Sequence, residues 1–394
     1  MKGEQALVPK LRFGEFAKPW KISSLESNFD ILAGYAFKSS QMSKVPSSDF
    51  QILKMSSVHK GILNLEKNAS FWNNLDQKLN KFVLVEDDVL ITLTGTVNKR
   101  DYGYSIKIKE DNRYLLNQRL ARLRGIPSIA TSAFSEYLLK TDRFYYLFFS
   151  SSKGGTGNQS NVSIEDFKAL ELPTPSLPEQ EKIAAFLTSV DDRIDQLKRK
   201  KSLLQDYKKG AMQKLFSQEL RFKDQQGKDF PDWEEKKLGE VLKIGSGKDY
   251  KHLNKGDIPV YGSGGLMTHV DQFLYEGESV CIGRKGTIDK PQFMSGKFWT
   301  VDTLFYTHNF KGVIPRFILS VFQQITWYRH NEAGGVPSLS KKTIENIFID
   351  IPSLPEQTKI ANFLSSLDQK LEQIDTQITQ TQTFKKGLLQ QMFV

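Results

Sequence analysis

The chain has 394 residues, a quarter of them charged and 39% hydrophobic, enough for two or three globular domains. Its net charge of +10 points to a polyanionic partner, nucleic acid before others. There is no long apolar run and no leader-like segment, and the lone Cys281 excludes an internal disulfide or a cysteine zinc site, so a cytoplasmic protein is expected.

Residues 1–173 form a first block in which alternating β-branched and aromatic residues mix with short helical stretches, predicting an α+β domain. Residues 1–10 carry no pattern and are expected to be loose. Leu11-Arg12-Phe13, Trp20 in WKISSL and the glycine-containing turn Gly34–Lys38 (GYAFK) are its first landmarks. DVLITLTGTV at Asp88–Val97 predicts a strand ending in a turn at Gly95, and Ile129–Leu139 predicts a helix. Arg119, Arg122 and Arg124 suit strand ion pairs and phosphate contacts equally. Gly154-Gly155, Ser160 and IEDFKALELP close the block.

Residues 174–218 read as one long helix. Ser176 and Glu179 match a capping box, with Pro178 tolerated in the first turn. Ile183, Val190, Leu197, Leu204 and Ala211 recur every seven residues, and Leu187, Ile194, Lys201, Lys208 and Leu215 form a second row, the a and d seams of a coiled coil. Such a helix is about 57 Å long. Lys201 and Lys208 weaken its seam, which predicts a further partner surface there. Asp191-Asp192 stands near the helix start, where acids favour the dipole.

The polar stretch Lys223–Asp232 is the linker candidate leading into a second block, residues 219–352. That block repeats the landmarks of the first in order. They are Leu220-Arg221-Phe222, Trp233 in WEEKKL, GSGKDYK at Gly245–Lys251 and SVCIGRKGTI at Ser279–Ile288. A helical stretch Val313–Trp327, Gly334-Gly335 with Ser340, and IENIFIDIP follow. Residues 353–394 then repeat the long helix without a gap, with 19 of 42 aligned positions identical. Ser353 and Glu356 repeat the capping box. Ile360, Leu367, Ile374, Thr381 and Leu388 form one row, and Leu364, Leu371, Ile378, Lys385 and Met392 the other. Gly210 and Gly387 share a repeat position, and an interior glycine costs up to about 1 kcal/mol, so a kink or close backbone approach is predicted. The simplest architecture is two similar α+β domains separated by two long helices paired as an antiparallel coiled coil, with internal pseudo-twofold symmetry. Ile183, Leu187, Val190, Ile194, Leu197, Leu204, Ile360, Leu364, Leu367, Leu371, Ile374 and Ile378 would pack it.

No catalytic set is visible. Gly245-Ser-Gly-Lys-Asp lacks the spacing of a phosphate loop, having Leu242 and Asp249 where a glycine and a Ser or Thr belong. His59, His252, His269, His308 and His330 are scattered, and no methyltransferase motif or nucleophile–base set appears. A chain that is not an enzyme and carries no cofactor or metal of its own is expected. Polar and basic groups do collect on the predicted turns: Lys38, Lys99, Arg100, Asn158 and Gln159 in the first block, and Lys248, Tyr261, Ser263, Arg284, Lys285 and Ser338 in the second. Arg and Lys bind phosphate and guanine, and Asn and Gln can bond adenine, so these are the candidate DNA contacts. Any single one of them is more often a solvated loop residue.

Two variable blocks, each followed by a helix opening LPEQ, resemble the DNA-specificity subunit of type I restriction–modification systems over Leu11–Val394. LPEQ-x-[KI]-I-A-x-F-L, KKG-x-x-Q-x-[LM]-F, G-x-x-[FY]-K and V-x-I-x-x-x-G-T carry the likeness. It implies target recognition domains at 1–173 and 219–352, and spacer helices at 174–218 and 353–394. Double-stranded DNA would be bound as an asymmetric two-part site. The resemblance also implies two modification subunits with S-adenosylmethionine, and restriction subunits (ATP-dependent translocase and nuclease) with ATP and Mg. A non-specific DNA-binding coiled-coil scaffold, an orphan or antirestriction form of the family, or a fused enzyme are the competing readings.

Overall fold

The computed structural model describes residues 7–46, 50–73, 75–111, 113–154 and 158–394. The chain divides into two compact units, Met1–Gln196 with Ile378–Val394, and Leu197–Gln377. Each unit is mixed α+β, and each owns part of both long helices, Leu177–Phe216 and Leu354–Gln391.

In the first unit a four-stranded antiparallel sheet runs in the order Phe29–Ala33, Leu120–Gly125, Val89–Thr92, Ser105–Lys107. Strand side chains alternate between faces, so Val89 and Ile91 enter one hydrophobic cluster and Leu90 another. The first cluster takes Phe134 and Tyr137 from the helix Ser132–Leu138, and Phe144 and Phe148 from Asp142–Ser150. No predicted element covers that second helix, which Thr141 Oγ1 caps by accepting from Phe144 N at 3.2 Å. The second cluster covers a smaller sheet in which Phe50–Leu53 pairs in parallel with Tyr114–Leu116 and antiparallel with Phe71–Trp72.

The second unit rebuilds the same frame. Its main sheet has the order Lys243–Ser246, Leu304–His308, Ser279–Gly283, Gln292–Met294. A second sheet again contains a parallel pair, Ile258–Gly262 with Lys297–Thr300. Gly34 and Gly247 follow the first strand in each frame. A Cβ there would lie 2.0 Å from the Asn117 or Val301 carbonyl oxygen, so only glycine fits. The equivalent of Gly34 is therefore Gly247, two residues beyond the glycine that opens GSGKDYK.

The LPEQ segments organise both units, but not as capping boxes. Glu179, 2% exposed, accepts two bonds from Arg12 at 2.7 Å and one from Trp20 Nε1 at 3.1 Å. Glu356 does the same for Arg221 at 3.2 and 2.8 Å, and for Trp233 Nε1 at 3.2 Å. Bonding to these carboxylates raises the pKa of both guanidinium groups. The neighbouring Gln180 donates to the Ile129 and Pro175 carbonyls and accepts from Thr131 N, while Gln357 donates to Gly312 and Pro352 and accepts from Ile314 N. Buried polar groups must be paired, and here one Glu-Gln step ties the entering segment and a helix start to the long helix. Ser353 Oγ, predicted as a cap, is buried without a partner.

The heptad rows pack more than a two-helix seam. Ile183, Leu187, Val190 and Ile194 join the first unit's core together with Leu388, Met392 and Phe393. Ile360, Leu364 and Leu367 join the second unit's core with Met212 and Leu215. Leu197 and Ile374 are buried, whereas Leu204, Leu371 and Ile378 are half-buried. The seam lysines are paired, which corrects the expectation that they need an outside partner. Lys201 meets Asp375 at 2.6 Å and Lys208 meets Asp368, while Lys385 meets Asp191 at 2.5 and 2.7 Å. The residue numbers in each pair add to one constant, the mark of an antiparallel register. Asp191 lies well inside the helix as one arm of this pairing, and also accepts from Tyr137 Oη at 3.1 Å.

Three further expectations are corrected. Both helices run unbroken through Gly210 and Gly387, and a Cβ would meet nothing at Gly210 and only Gln391 Nε2, at 4.0 Å, at Gly387. Lys223–Asp232 is a folded loop: Asp224 Oδ1 accepts from Gln226 N and Lys228 N, and Arg221 donates to the Phe230 and Pro231 carbonyls. Residues 7–10 are tied down through Trp20 N to Leu7 O at 2.8 Å, while residues 1–6 lie outside the described residues.

Removing one partner of a buried ion pair leaves the other uncompensated. Glu356→Ala should therefore cost about 3 kcal/mol in urea unfolding, and Glu356→Gln, which still accepts from Trp233, should cost less. Gly210→Ala and Gly387→Ala meet no steric block and should each raise stability by about 0.5 to 1 kcal/mol in the same measurement.

Candidate nucleic-acid interface

In the first unit Thr94–Thr96, Gln159–Asn161 and Lys153–Gly154 form a three-stranded ribbon. Gly95 lies inside this ribbon rather than at a turn. Its Cβ position is 2.4 Å from the Tyr102 ring, which is why the residue is glycine. The turn comes next, with Lys99 N bonded to Thr96 O at 3.2 Å and Val97 N to Asn158 O at 3.3 Å. Lys99, Arg100, Asn158 and Gln159 are thereby brought together, all exposed. Arg100 adopts a φ of 46° and lays its guanidinium over the Phe149 ring at 5.3 Å. Lys38 is exposed on a different loop, Gly34–Gln41. Gly155 lies outside the described residues.

Asp101 sets the shape of the turn. Its carboxylate accepts from Thr96 N at 2.7 Å and from Thr96 Oγ1 at 2.8 Å, and the backbone bond from Thr96 holds its pKa below the ordinary carboxylate value. An Asp five residues past the strand was the available signal in the sequence. Two of the alternating arginines are structural: Arg122 pairs with Asp30, and Arg124 grips the buried Asp88 at 2.8 and 2.9 Å.

The second unit gathers its six candidates around the strand Ile258–Gly262. Tyr261 pairs in register with Thr300, whose carbonyl accepts from Lys248 N at 2.8 Å. Gly286, at φ 83°, places its Cβ position 4.0 Å from Ser263 Oγ. Lys285 bridges to Ser338, Gly286 N bonds Pro337 O, and Leu339 N bonds Arg284 O. Asn331 Oδ1 accepts from Ala333 N and Ser338 N and so shapes the double-glycine loop. Arg284, Lys285 and Lys248 are exposed; Tyr261 packs against the cluster of Cys281, Met294, Phe298 and Leu304. Burial pushes the Cys281 thiol up to about 12, so it is not a nucleophile. In both units, then, the turn after the strand Val89–Thr92 or Ser279–Gly283 meets the segment that precedes the last short helix. One frame position carries two different sets of polar groups.

Among the described residues no group of three His, Cys, Asp or Glu could hold a metal ion, and no helix is long and apolar enough to cross a membrane.

The profile of the type I restriction modification DNA specificity domain matches residues 17–205 and again 231–381. The chain is therefore a tandem of two DNA specificity domains, and it belongs to the type I restriction–modification specificity family. The putative MjaX specificity subunit of Methanocaldococcus jannaschii is 22% identical, covering 96% of this chain and 94% of its own length. The MjaVIII specificity subunit of the same organism is 26% identical over 79% of each. In fold, a type I restriction–modification S subunit from M. genitalium aligns with a TM-score of 0.67 at 20% identity, covering 98% of this chain and 99% of that one.

Because the folded-state pKa of Asp101 is depressed, its contribution to the Gly95–Asp101 turn is present above the ordinary carboxylate range and is lost as pH falls through the folded value. An NMR titration should show the Asp101 carboxyl titrating below about 3.9, with the Thr96 amide moving in step.

Proposed function

We propose that this chain is the non-catalytic specificity subunit of a type I restriction–modification complex, in which each unit reads one half of an asymmetric two-part DNA target. One observation carries the reading: the same frame position holds Lys99, Arg100, Asn158 and Gln159 in one unit and Arg284, Lys285 and Ser338 in the other. Equal scaffolds with unlike donors are suited to reading two different short sequences. The amides of Asn158 and Gln159 favour adenine, and Arg284 favours guanine or phosphate.

The helices set the unread spacer and dock two modification subunits. Tyr207 and Phe384 occupy the same repeat position and are 57% and 56% exposed, which suits two copies of one partner. Methyl transfer from S-adenosylmethionine belongs to those subunits, and ATP- and magnesium-dependent translocation and cleavage to restriction subunits, in the cytoplasm.

Replacing residues 11–173 by those of a relative should change one half-site and leave the other, read by mapping methylated bases in cells carrying the complex. Deleting Arg199–Gln205 together with Leu371–Gln377 removes one heptad from each helix in matching register. Lys208–Asp368 and Asp191–Lys385 are kept, and the methylome should show a shorter spacer between unchanged half-sites. Altered half-site bases in that variant would refute the division between readers and spacer.

A further inference from the structure

The lobe built on Phe50–Leu53, Phe71–Trp72 and Tyr114–Leu116 contains a cationic cluster that the recognition loops do not include. Ser70 is fully buried, yet its hydroxyl receives two lysines: Lys54 Nζ at 2.6 Å and Lys44 Nζ at 3.5 Å. Like charges drawn to one neutral hydroxyl repel each other, and among the described residues no carboxylate pairs with either. Burial, and the charge of Lys44 after it, hold the pKa of Lys54 below the ordinary lysine value.

The backbone fixes this arrangement. Ser43 and Phe71 exchange two hydrogen bonds, at 3.0 and 2.9 Å, Ile52 N bonds Ser70 O at 2.8 Å, and Lys54 N bonds Ser57 Oγ at 3.2 Å. All three functional groups therefore sit on pinned segments. The lobe also carries an open groove of about 730 Å³ whose lining includes Tyr35, Gln41, Trp72, Asp76, Lys78 and Lys81, two lysines to one carboxylate. Lysine is a residue type that meets the phosphate backbone of a duplex.

We propose that Lys44 and Lys54, drawn together on the buried Ser70 hydroxyl, form a clamp for phosphate oxygens, and that a backbone phosphate of the bound duplex occupies it. Two ammonium groups supply the charge and the donors that a phosphodiester accepts, and an anion beside them relieves their repulsion, while Ser70 holds the pair in place. Such a contact positions the protein without reading bases. It goes beyond the recognition loops but rests on DNA binding by the first unit.

The test is equilibrium binding of the full chain to a duplex carrying its mapped target, across a salt series, for wild type, Lys54→Met, Lys44→Met and Lys54→Arg. Each phosphate contact contributes about 0.9 to the slope of log K against log salt. Both Met variants should flatten the slope by up to about that amount and weaken binding several-fold at low salt. Lys54→Arg should keep the slope, and the methylated bases should not change. In a second arm, inorganic phosphate is titrated into the wild type at constant ionic strength while the lysine ε-methylene resonances are followed, so the decision survives a variant that fails to fold.

Lysine shifts with an unchanged slope would assign the clamp to free phosphate. Neither a slope change nor shifts, or a change in the methylated bases of the Met variants, would overturn it. If instead the wild-type complex marks no two-part target, the proposed function fails, and the phosphate titration still reports on the clamp.

Discussion

Glu179 and Glu356 hold the architecture. A carboxylate buried to this degree is costly unless its charge is compensated and its lone pairs are filled, and each of these has an arginine fork and an indole N–H. Arg12 lies 167 residues from Glu179, and Arg221 lies 135 from Glu356. The contact is therefore a long-range closure: it fixes where each unit's entering segment meets the start of its long helix. The adjoining glutamines add the connection to the helix at Ser132–Leu138 and to that at Pro315–Gln324. Phe393 then packs on Trp20 and Phe134 in one unit as Phe216 packs on Trp233 and Phe317 in the other. The second unit receives that phenylalanine from the helix leading directly into it; the first receives it from the far end of the chain.

The long helices show how a polar residue in an apolar row can be stable. Lys201, Lys208 and Lys385 bury their stems along the seam while their ammonium groups reach Asp375, Asp368 and Asp191. These carboxylates are 52%, 48% and 31% exposed, so each pair contributes little to stability. Their larger effect is on register. A slip of one residue would separate all three pairs at once, and a parallel arrangement could not form them. Apolar rows alone tolerate both errors more readily, so the lysines specify what the leucines stabilise.

Much of this was legible in the sequence. Gapless repetition of LPEQ and KKG located both helices, the paired landmarks located two like domains, and the turns bearing Lys99 and Arg284 were found from V-x-I-x-x-x-G-T. Three things were hidden for physical reasons. The role of Glu179 could not be separated from a capping box because the same residue type at the same spacing serves both, and only the folded chain brings Arg12 to it. Heptad spacing records that Ile183 and Leu364 are buried, not what buries them, and here it is largely the units' own cores. The second sheets are made of short strands in the most divergent part of the blocks, so the parallel pairs Phe50–Leu53 with Tyr114–Leu116 and Ile258–Gly262 with Lys297–Thr300 left no periodic trace. The lysine pairs were within reach: writing the two helices antiparallel sets an aspartate opposite each lysine.

What the frame requires also explains what it leaves free. Its costly groups, the carboxylates of Asp88, Glu179 and Glu356 and the amides of Gln180 and Gln357, are all satisfied by strands, helix starts and entering segments. The turns bearing Lys99 and Arg284 take no part in that pairing. Side-chain bonds made within a few residues shape them, Thr96 with Asp101 in one unit and Asn331 with Ser338 in the other. Backbone bonds such as Val97 N to Asn158 O and Leu339 N to Arg284 O join them to the facing segment whatever the side chains are. Substituting Lys99, Asn158, Arg284 or Ser338 removes no buried partner from the frame, so the side chains on these turns can change while the fold does not. A specificity module needs that separation, because a side chain that both reads a base and completes a core cannot be exchanged for another reader without loss of stability.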